Sequence, residues 1–490
     1  MTRRTPTPPT TRTVVVVTLL AALFGTGCRS VTTAPSVAET IEPPPSWIGA
    51  PDGDSETHGP SAEDLAVWWR QLDDPVLDRL VERAIAGNTD LEIAATRVEE
   101  ARALRGLAAG ELGPSISAGL TSVRSEALGD GVVAPDSVSA GLDMAWEADL
   151  FGAKRLATAA SQADLEAEIE NLRAARVSLV AETVLAYADL RVAEARLEVL
   201  EDSLSSREET SQLTSWREQA GLASRLEANQ ALSSLGQARA EQPLIEQVAA
   251  AARLRLALLT GEQPGALDDL LSGPERDIPI PQVGVSAGIP AETLNQRPDV
   301  RSAVRRLEAA WARLGAAEAA RYPTVRLTGS LDAQSEDLSN LFDIDSMVAS
   351  LISGITAPIF ESGRIRSNIE VREAQWEQAV LGYRGTVLEA LSEVERALVD
   401  HHAATNRIVA LEEAVAAAAE AADLADQRYE AGLVDLLSVL DTQRTLFGLE
   451  DQLAVARGER LKAFSNLYRA LGGGWGAAPD EPVAEGGTHA

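Results

Sequence analysis

Apolar residues recur at intervals of three and four through most of this chain, the spacing that gives a helix one buried stripe. In the C-terminal half Trp376, Val380, Tyr383, Val387, Leu391, Val394 and Leu398 follow that rule, as along a coiled-coil seam. No proline interrupts the chain between Pro135 and Pro243, or between Pro358 and Pro479. A helix from Gly363 to Tyr429 would run about 65 residues, or about 100 Å at 1.5 Å per residue. Two short stretches change the period from helical to alternating in each half. Ile116, Ala118 and Leu120 alternate with Ser117, Gly119 and Thr121, and Val325, Leu327 and Gly329 repeat the pattern.

The halves are copies of one another. Asp90 aligns with Asp299 and Pro114 with Pro323, an offset of 299 − 90 = 209. Further along, Gly152, Gly221 and Gly261 align with Gly363, Gly432 and Gly472, an offset of 432 − 221 = 211. A tandem duplication is therefore expected, with repeats at 62–270 and 290–475 and a proline-rich linker at 271–289. Each repeat predicts a helix closed by proline, then two strands, then a long helical hairpin. The strands are expected near 114–127 and 137–150, and near 323–334 and 346–360. Both hairpins break at Ala-Gly-Leu, and Gly221 and Gly432 supply the conformations that reversal requires. Ser224 and Asp435 are placed to cap the returning helices. Pro243 has no counterpart, since Ala454 stands there, and it is expected to kink or interrupt its helix.

Composition narrows the function. Aromatic residues are only 4% of the chain, and Ala, Leu, Glu and Arg dominate, as in long helices. A net charge of −31 argues against a nucleic-acid partner, whose phosphates need a basic footprint. The four histidines and single cysteine show no metal-ligand spacing, and His401 and His402 are adjacent, about 100° apart on a helix. No nucleophile–base set or phosphate loop is visible, so an enzyme is not expected and no catalytic residue, metal or cofactor is assigned. The run Gly472–Gly474 ends a helix rather than starting one, which suits a stop and not a phosphate cradle.

The N-terminus reads as an export signal over residues 1–27. Arg3, Arg4 and Arg12 precede the apolar run Val14–Phe24, which is too short to span a membrane. The sole cysteine, Cys28, follows Gly25-Thr26-Gly27 and resembles the lipidated first residue of a bacterial lipoprotein. The alternative is an ordinary secretory signal with an incidental cysteine. Lipidation explains an unpaired exported cysteine and is preferred, with diacylglycerol and an N-acyl chain on Cys28. Arg29 suits sorting to the outer membrane. Residues 28–61 form an extended tether, and residues 476–490 a tail too polar to fold.

The element order, together with GIPAETLNQRPDVRSAVRRLEAAWARLGAAEAARYPTVRLTGSL, WEADLFGAKR, APIFESGRIR and QRYEAGLVDLLSVLDTQ, resembles the outer membrane efflux protein family. These are the TolC- and OprM-like outer-membrane factor lipoproteins of the NodT type, and the match covers residues 62–475. The resemblance implies a mainly α fold with a small β part. Tandem helical hairpins and four strands per chain would assemble as a homotrimer, with a 12-stranded β-barrel in the outer membrane and a periplasmic α-barrel. It implies a passive conduit taking small molecules from an inner-membrane exporter, of the proton-driven RND type, through a periplasmic adaptor (membrane fusion protein). It places Asp441 at a pore constriction, with Glu227 as a nearby carboxylate, and Arg428 and Tyr429 as gate tethers. Gly221, Leu222, Ser224, Gly432 and Leu433 become the adaptor-docking tips. Ser438 stands where some members carry a second aspartate, and Val434 where some carry a basic residue. Two rival readings are a type I protein-secretion channel and a periplasmic coiled-coil scaffold or adaptor without a pore.

Overall fold

A computed structural model describes residues 43–48, 65–125, 136–273, 277–281, 290–336, 341 and 343–475. The expected signal, Cys28 and the tail after Trp475 lie outside the described residues, as do parts of the tether, linker and strand-to-strand loops. A short helical turn, Trp68–Leu72, opens the described domain and leads into α1 (Pro75–Gly87) and α2 (Thr89–Gly110). Strands β1 (Ser115–Val123) and β2 (Ser137–Ala148) precede α3 (Ala153–Gln219) and α4 (Arg225–Leu259). After α5 (Asp268–Leu271) and α6 (Pro290–Gln296), the order repeats as α7 (Pro298–Ala319), β3 (Thr324–Ser335), β4 (Met347–Thr356), α8 (Arg364–Glu430) and α9 (Leu436–Ala470). Helices α3 and α8 are each 67 residues long, and α4 and α9 are each 35.

Helix α4 continues through Pro243, so of the kink or interruption expected there the interruption does not occur. Pro243 and Arg239 are both exposed in the chain, so the carbonyl that loses its helical N–H partner can bond water instead.

The chain divides into two compact units. The first comprises Val98–Glu168 and Ala303–Tyr383 and contains one antiparallel sheet, ordered β1-β2-β3-β4. The two repeats thus meet in a single sheet, where β2 pairs with β3. Beside the sheet, Phe151 stacks on Tyr322 at 4.8 Å, and Trp311 tilts against Trp376 at 5.4 Å. Leu314, Ala317 and Ile369 form a small buried cluster next to the second pair.

The second unit, Ile41–Arg97, Ile169–Ser302 and Arg384–Ala490, holds the largest apolar core. Trp68 is fully buried, stacks on Tyr468 at 5.2 Å and meets Phe464 edge-on at 5.9 Å. Val387, Val394 and Leu398 of the predicted seam are buried, and Leu391 is half-buried.

The duplication reuses one joint with two chemistries. Asn88 and Arg297 are equivalent (297 − 88 = 209), as are Leu259 and Ala470 (470 − 259 = 211). Asn88 donates from Nδ2 to the Leu259 carbonyl at 2.9 Å, and Arg297 donates to the Ala470 carbonyl at 2.7 Å. Each side chain satisfies a carbonyl that the end of α4 or α9 would otherwise leave unpaired. The chain approaches so closely beside the first joint that a Cβ on Gly261, whose φ is 69°, would lie 2.0 Å from the Gly87 oxygen. Arg297 also grips Asp299 at 3.0 and 2.6 Å and Glu393 at 2.7 Å.

A buried guanidinium with two carboxylate partners is harder to lose than a buried amide. Arg297→Ala should cost about 2–4 kcal/mol, because the Ala470 carbonyl loses its charged donor and the half-exposed Asp299 and Glu393 lose their counterion. Asn88→Ala should cost about 1–3 kcal/mol, the range for an orphaned buried group. Thermal unfolding of the purified variants reads the difference, and equal losses would contradict this assignment.

Candidate functional site

Two places in the chain carry groups that folding alone leaves unsatisfied. The first is the sheet. Its register puts Ile116, Ala118 and Leu120 opposite Met144, Leu142 and Ala140. Leu142, Met144 and Trp146 stand opposite Leu331, Gly329 and Leu327, while Leu331 and Val325 face Ala349 and Ile355. Side chains alternate across a strand, so these residues share one face, and that face is apolar. The other face carries Ser117, Thr121, Ser139, Asp143, Glu147, Arg326, Thr328, Ser330 and Asp332, with Val348 and Ile352 of β4 as apolar exceptions. Neither face is covered along the edge strands, since every residue of β1 and β4 is exposed in the single chain. An uncovered apolar face beside a polar one, with two bare edges, is the arrangement of a barrel wall between lipid and water. Among the described residues no helix is long and apolar enough to cross a membrane.

The second place is the paired hairpin tips in the second unit. Gly221 and Gly432 take φ of 73° and 74°, the left-handed region that glycine enters without a steric cost. At the first tip the Gly221 N–H reaches the Glu218 oxygen and the Leu222 N–H the Arg217 oxygen, both at 2.8 Å. At the second, Gly432 N–H reaches the Tyr429 oxygen at 2.9 Å and Leu433 N–H the Arg428 oxygen at 2.8 Å. This double bond to the last turn ends a helix at glycine. The leucine that follows usually packs back on its own helix, yet Leu222 is 75% exposed and Leu433 74%. Leu226 and Leu437, one turn on, are exposed as well.

The returning helices are capped by different acids. Ser224 Oγ accepts from the Glu227 N–H at 3.3 Å, and the Glu227 carboxylate accepts from the Ser224 N–H at 2.6 Å, a reciprocal capping box. Those bonds to Ser224 hold the Glu227 carboxyl below its ordinary pKa. At the other tip Asp435 accepts from the Ser438 N–H at 3.0 Å and from its hydroxyl at 2.6 Å. Glu227, proposed as a pore carboxylate, is therefore engaged at its own helix start. Asp441 is exposed on α9, and its backbone oxygen accepts from the Thr445 hydroxyl at 2.9 Å.

Of the two residues expected to tether the tips, only Tyr429 is enclosed. It lies with Ala231, Leu436, Val439 and Leu440 in a small buried cluster that joins both hairpins. The guanidinium over its ring, at 4.7 Å, belongs to Arg217, which also donates to the Tyr429 carbonyl at 3.2 Å. Arg428 is exposed and takes part in no ion pair among the described residues. Arg217 escaped the sequence reading although the signal was present: it is the duplicate of Arg428 (428 − 211 = 217). A polar contact nearby was also missed. Gln443 is buried and donates from Nε2 to Thr210 Oγ1 at 3.1 Å and to Asp426 Oδ1 at 3.3 Å, linking α9 to α3 and α8.

Among the described residues no group of His, Cys, Asp and Glu is placed to hold a metal ion.

Comparison with known proteins places these features in context. A family model described as outer membrane efflux protein matches residues 80–262 and 289–473. The chain is 35% identical to outer membrane protein OprJ of Pseudomonas aeruginosa, over 92% of this chain and 95% of that protein. It is 32% identical to the pyoverdine export outer membrane protein OpmQ of the same species, over 93% and 96%. The solved outer-membrane channel OprN superposes with a TM-score of 0.80 at 33% identity, covering 89% of this chain and 99% of that one.

The different settings of the duplicated arginines give a direct test. Arg217→Ala should speed backbone hydrogen exchange over Ala425–Leu440 about tenfold, the worth of one cation–π contact and one hydrogen bond. Arg428→Ala, which breaks no ion pair among the described residues, should speed it less. Equal acceleration by both variants would refute the assignment of the tether to Arg217.

Proposed function

The chain belongs to the outer membrane efflux protein family, and on that premise we propose how its barrel wall and its paired tips divide one task. It is the outer-membrane channel of a tripartite efflux system in a Gram-negative bacterium, a conduit rather than an enzyme. Three chains, each with four strands, close a barrel of twelve. The observation that carries this reading is the single sheet with one apolar face, one polar face and two unpaired edges. Lipid solvates the apolar face, the polar face lines the water path, and β4 of one chain pairs with β1 of the next.

The tips form the periplasmic gate. Asp441, whose carboxylate is exposed with no ion pair among the described residues, supplies the carboxylates of a three-fold constriction, which repels anions and admits cations. Glu227, held in its capping box, adds charge to the rim without a mobile side chain. Tyr429 and Arg217 fix the two hairpins of one chain together, and Arg428 is left to reach a neighbouring chain. Leu222 and Leu433, exposed beside Gly221 and Gly432 and near Ser224, are the docking points for the adaptor's own helical tip. Small residues let a second backbone approach, and leucine supplies apolar contact.

We assign small molecules as the cargo and a proton-driven exporter of the RND type as the pump. The relatives named for pyoverdine export and for toluene efflux support a small-molecule route over protein secretion. Cys28 carries the lipid anchor in this reading, with diacylglycerol and an N-acyl chain as its only covalent additions. Lipidation also explains why an exported chain keeps one unpaired thiol.

In-cell crosslinking from a reactive group at Leu222 or Leu433, followed by mass spectrometry, tests the docking and cargo assignments together. Capture of an adaptor with a proton-driven exporter is the expected result. Capture with an ATP-driven exporter would move the reading to protein secretion, and no capture at either site would remove the docking claim. Metabolic labelling with a radioactive fatty acid should mark the wild-type chain and not Cys28→Ser. An unlabelled wild-type chain would end the lipid assignment.

A further inference from the structure

The duplication extends to the register of the sheet. Residues of β1 recur in β3 at the offset of 209, and residues of β2 recur in β4 at the offset of 211. Moved by those offsets, the pair Ser115↔Ala145 of the first hairpin becomes Thr324↔Thr356, and Val123↔Ser137 becomes Asp332↔Val348. Both are pairs of the second hairpin. The two hairpins therefore share one register.

In a closed ring the repeats meet in two ways, at β2–β3 within a chain and where β4 reaches the β1 of the next chain. At the first junction Gly141 stands opposite Asp332, Met144 opposite Gly329 and Ala148 opposite Val325. The same offsets turn these pairs into Ile352 with Val123, Ile355 with Leu120, and Ile359 with Ile116.

We propose that β4 of one chain meets β1 of the next in this register, Ile352 against the neighbour's Val123, Ile355 against its Leu120 and Ile359 against its Ile116. The inference rests on the β4-to-β1 pairing proposed above. All six side chains are exposed in the single chain, Ile359 at 92%. The register keeps every side chain on its own face: the pairs of Ile355 and Ile359 fall on the apolar face and Ile352–Val123 on the polar one. It also gives a reason for two apolar residues on that polar face. Ile352 is flanked there by Thr328 and Val123 by Ser137, and each lies on a free edge.

The junction inside the chain is filled differently. A Cβ on Gly141 would collide with Asp332 Oδ1, so the glycine leaves room for the carboxylate. Between chains isoleucine and valine replace that glycine and aspartate. Chain connectivity helps to align β2 with β3, whereas separate chains must find their register by side-chain matching alone. Alternating faces exclude a slip of one residue but not of two. Slipped by two, Ile352 would meet Thr121 or Ser125, and Ile355 would meet Ala118 or Ser122. Only the unslipped register pairs a large apolar side chain with another at both places, and such cross-strand pairs stabilise a sheet.

Disulfide formation in full-length chains tests the register. Directly opposite Cβ atoms lie about 4.5–5.5 Å apart and diagonal ones about 7–8 Å, whereas a disulfide spans about 3.5–4.5 Å. Ile352→Cys combined with Val123→Cys should give covalent dimers and trimers on a non-reducing denaturing gel after mild oxidation. Ile352→Cys with Thr121→Cys, or with Ser125→Cys, should stay monomeric, as should each single variant, which controls for Cys28. Multimers from a slipped pair and none from Ile352–Val123 would overturn the register and leave the strand pairing in place. No multimers from any pair would overturn both. The temperature at which trimers dissociate in detergent gives a second reading. Val123→Asp sets a carboxylate against Ile352 and should lower it. Adding Ile352→Gly recreates the glycine–aspartate pair found inside the chain and should recover part of the loss. If the losses from Val123→Asp and Ile352→Gly simply add, the two residues are not partners and the register is refuted.

Discussion

An edge strand cannot leave its backbone N–H and C=O groups bare in hydrocarbon, where each unpaired group costs several kcal/mol. β1 and β4 are the two edges of a four-stranded sheet whose one face is apolar. A transmembrane barrel needs at least about eight strands, so one chain cannot satisfy its own edges. Trimer formation is thus a hydrogen-bonding requirement before it is a matter of helix packing. The alternating pattern adds a second requirement. A slip of one residue at the β4-to-β1 seam would turn leucines and isoleucines into the water path, so the faces of the sheet fix how neighbouring chains pair.

The same closure explains why the chain is a duplication with unequal halves. Copying one unit supplies identical helix lengths and identical left-handed turns at Gly221 and Gly432. Exact copies would also give both tips of a chain the same contacts. The halves diverge where position matters. Arg217 lies over Tyr429 while its duplicate Arg428 is exposed, and Gln443 is buried while its duplicate Leu232 is not. At the far joint the divergence is chemical only, because Asn88 and Arg297 reach equivalent carbonyls. Geometry is shared between the repeats, and the polar groups that hold it are not.

This division also decides what the sequence could reveal. Helix lengths, strand alternation and the glycine reversals follow from local spacing, so the repeats and their order were legible before any coordinates. Cap residues were legible for the same reason, since Ser224 and Asp435 act within three positions of themselves. Contacts between helices were not. Gln443 is 233 residues from Thr210, and nothing in its own neighbourhood marks it as buried. Arg217 was overlooked because its duplicate stood beside the tyrosine in the sequence, whereas the structure brings Tyr429 to Arg217 from the other hairpin. Pro243 misled in the opposite sense. The local rule allowed a kink or an interruption; the helix is not interrupted, and Arg239 is exposed, so its freed carbonyl can bond water.

Cohesion is unevenly distributed in the second unit. Its large core is built on Trp68, Phe464, Tyr468 and many leucines, and the buried arginine joint at Ala470 lies beside it. The tip cluster is far smaller, five buried residues around Tyr429. Polar contacts there replace apolar volume: one guanidinium over a ring, one amide shared between a hydroxyl and a carboxylate. A net hydrogen bond contributes about 1 kcal/mol, so loss of one such contact does not threaten the fold. Local opening concentrates where buried apolar contact is least. The chain therefore places its weakest cohesion at the hairpin tips, where gating and docking are proposed, and keeps its apolar mass around Trp68.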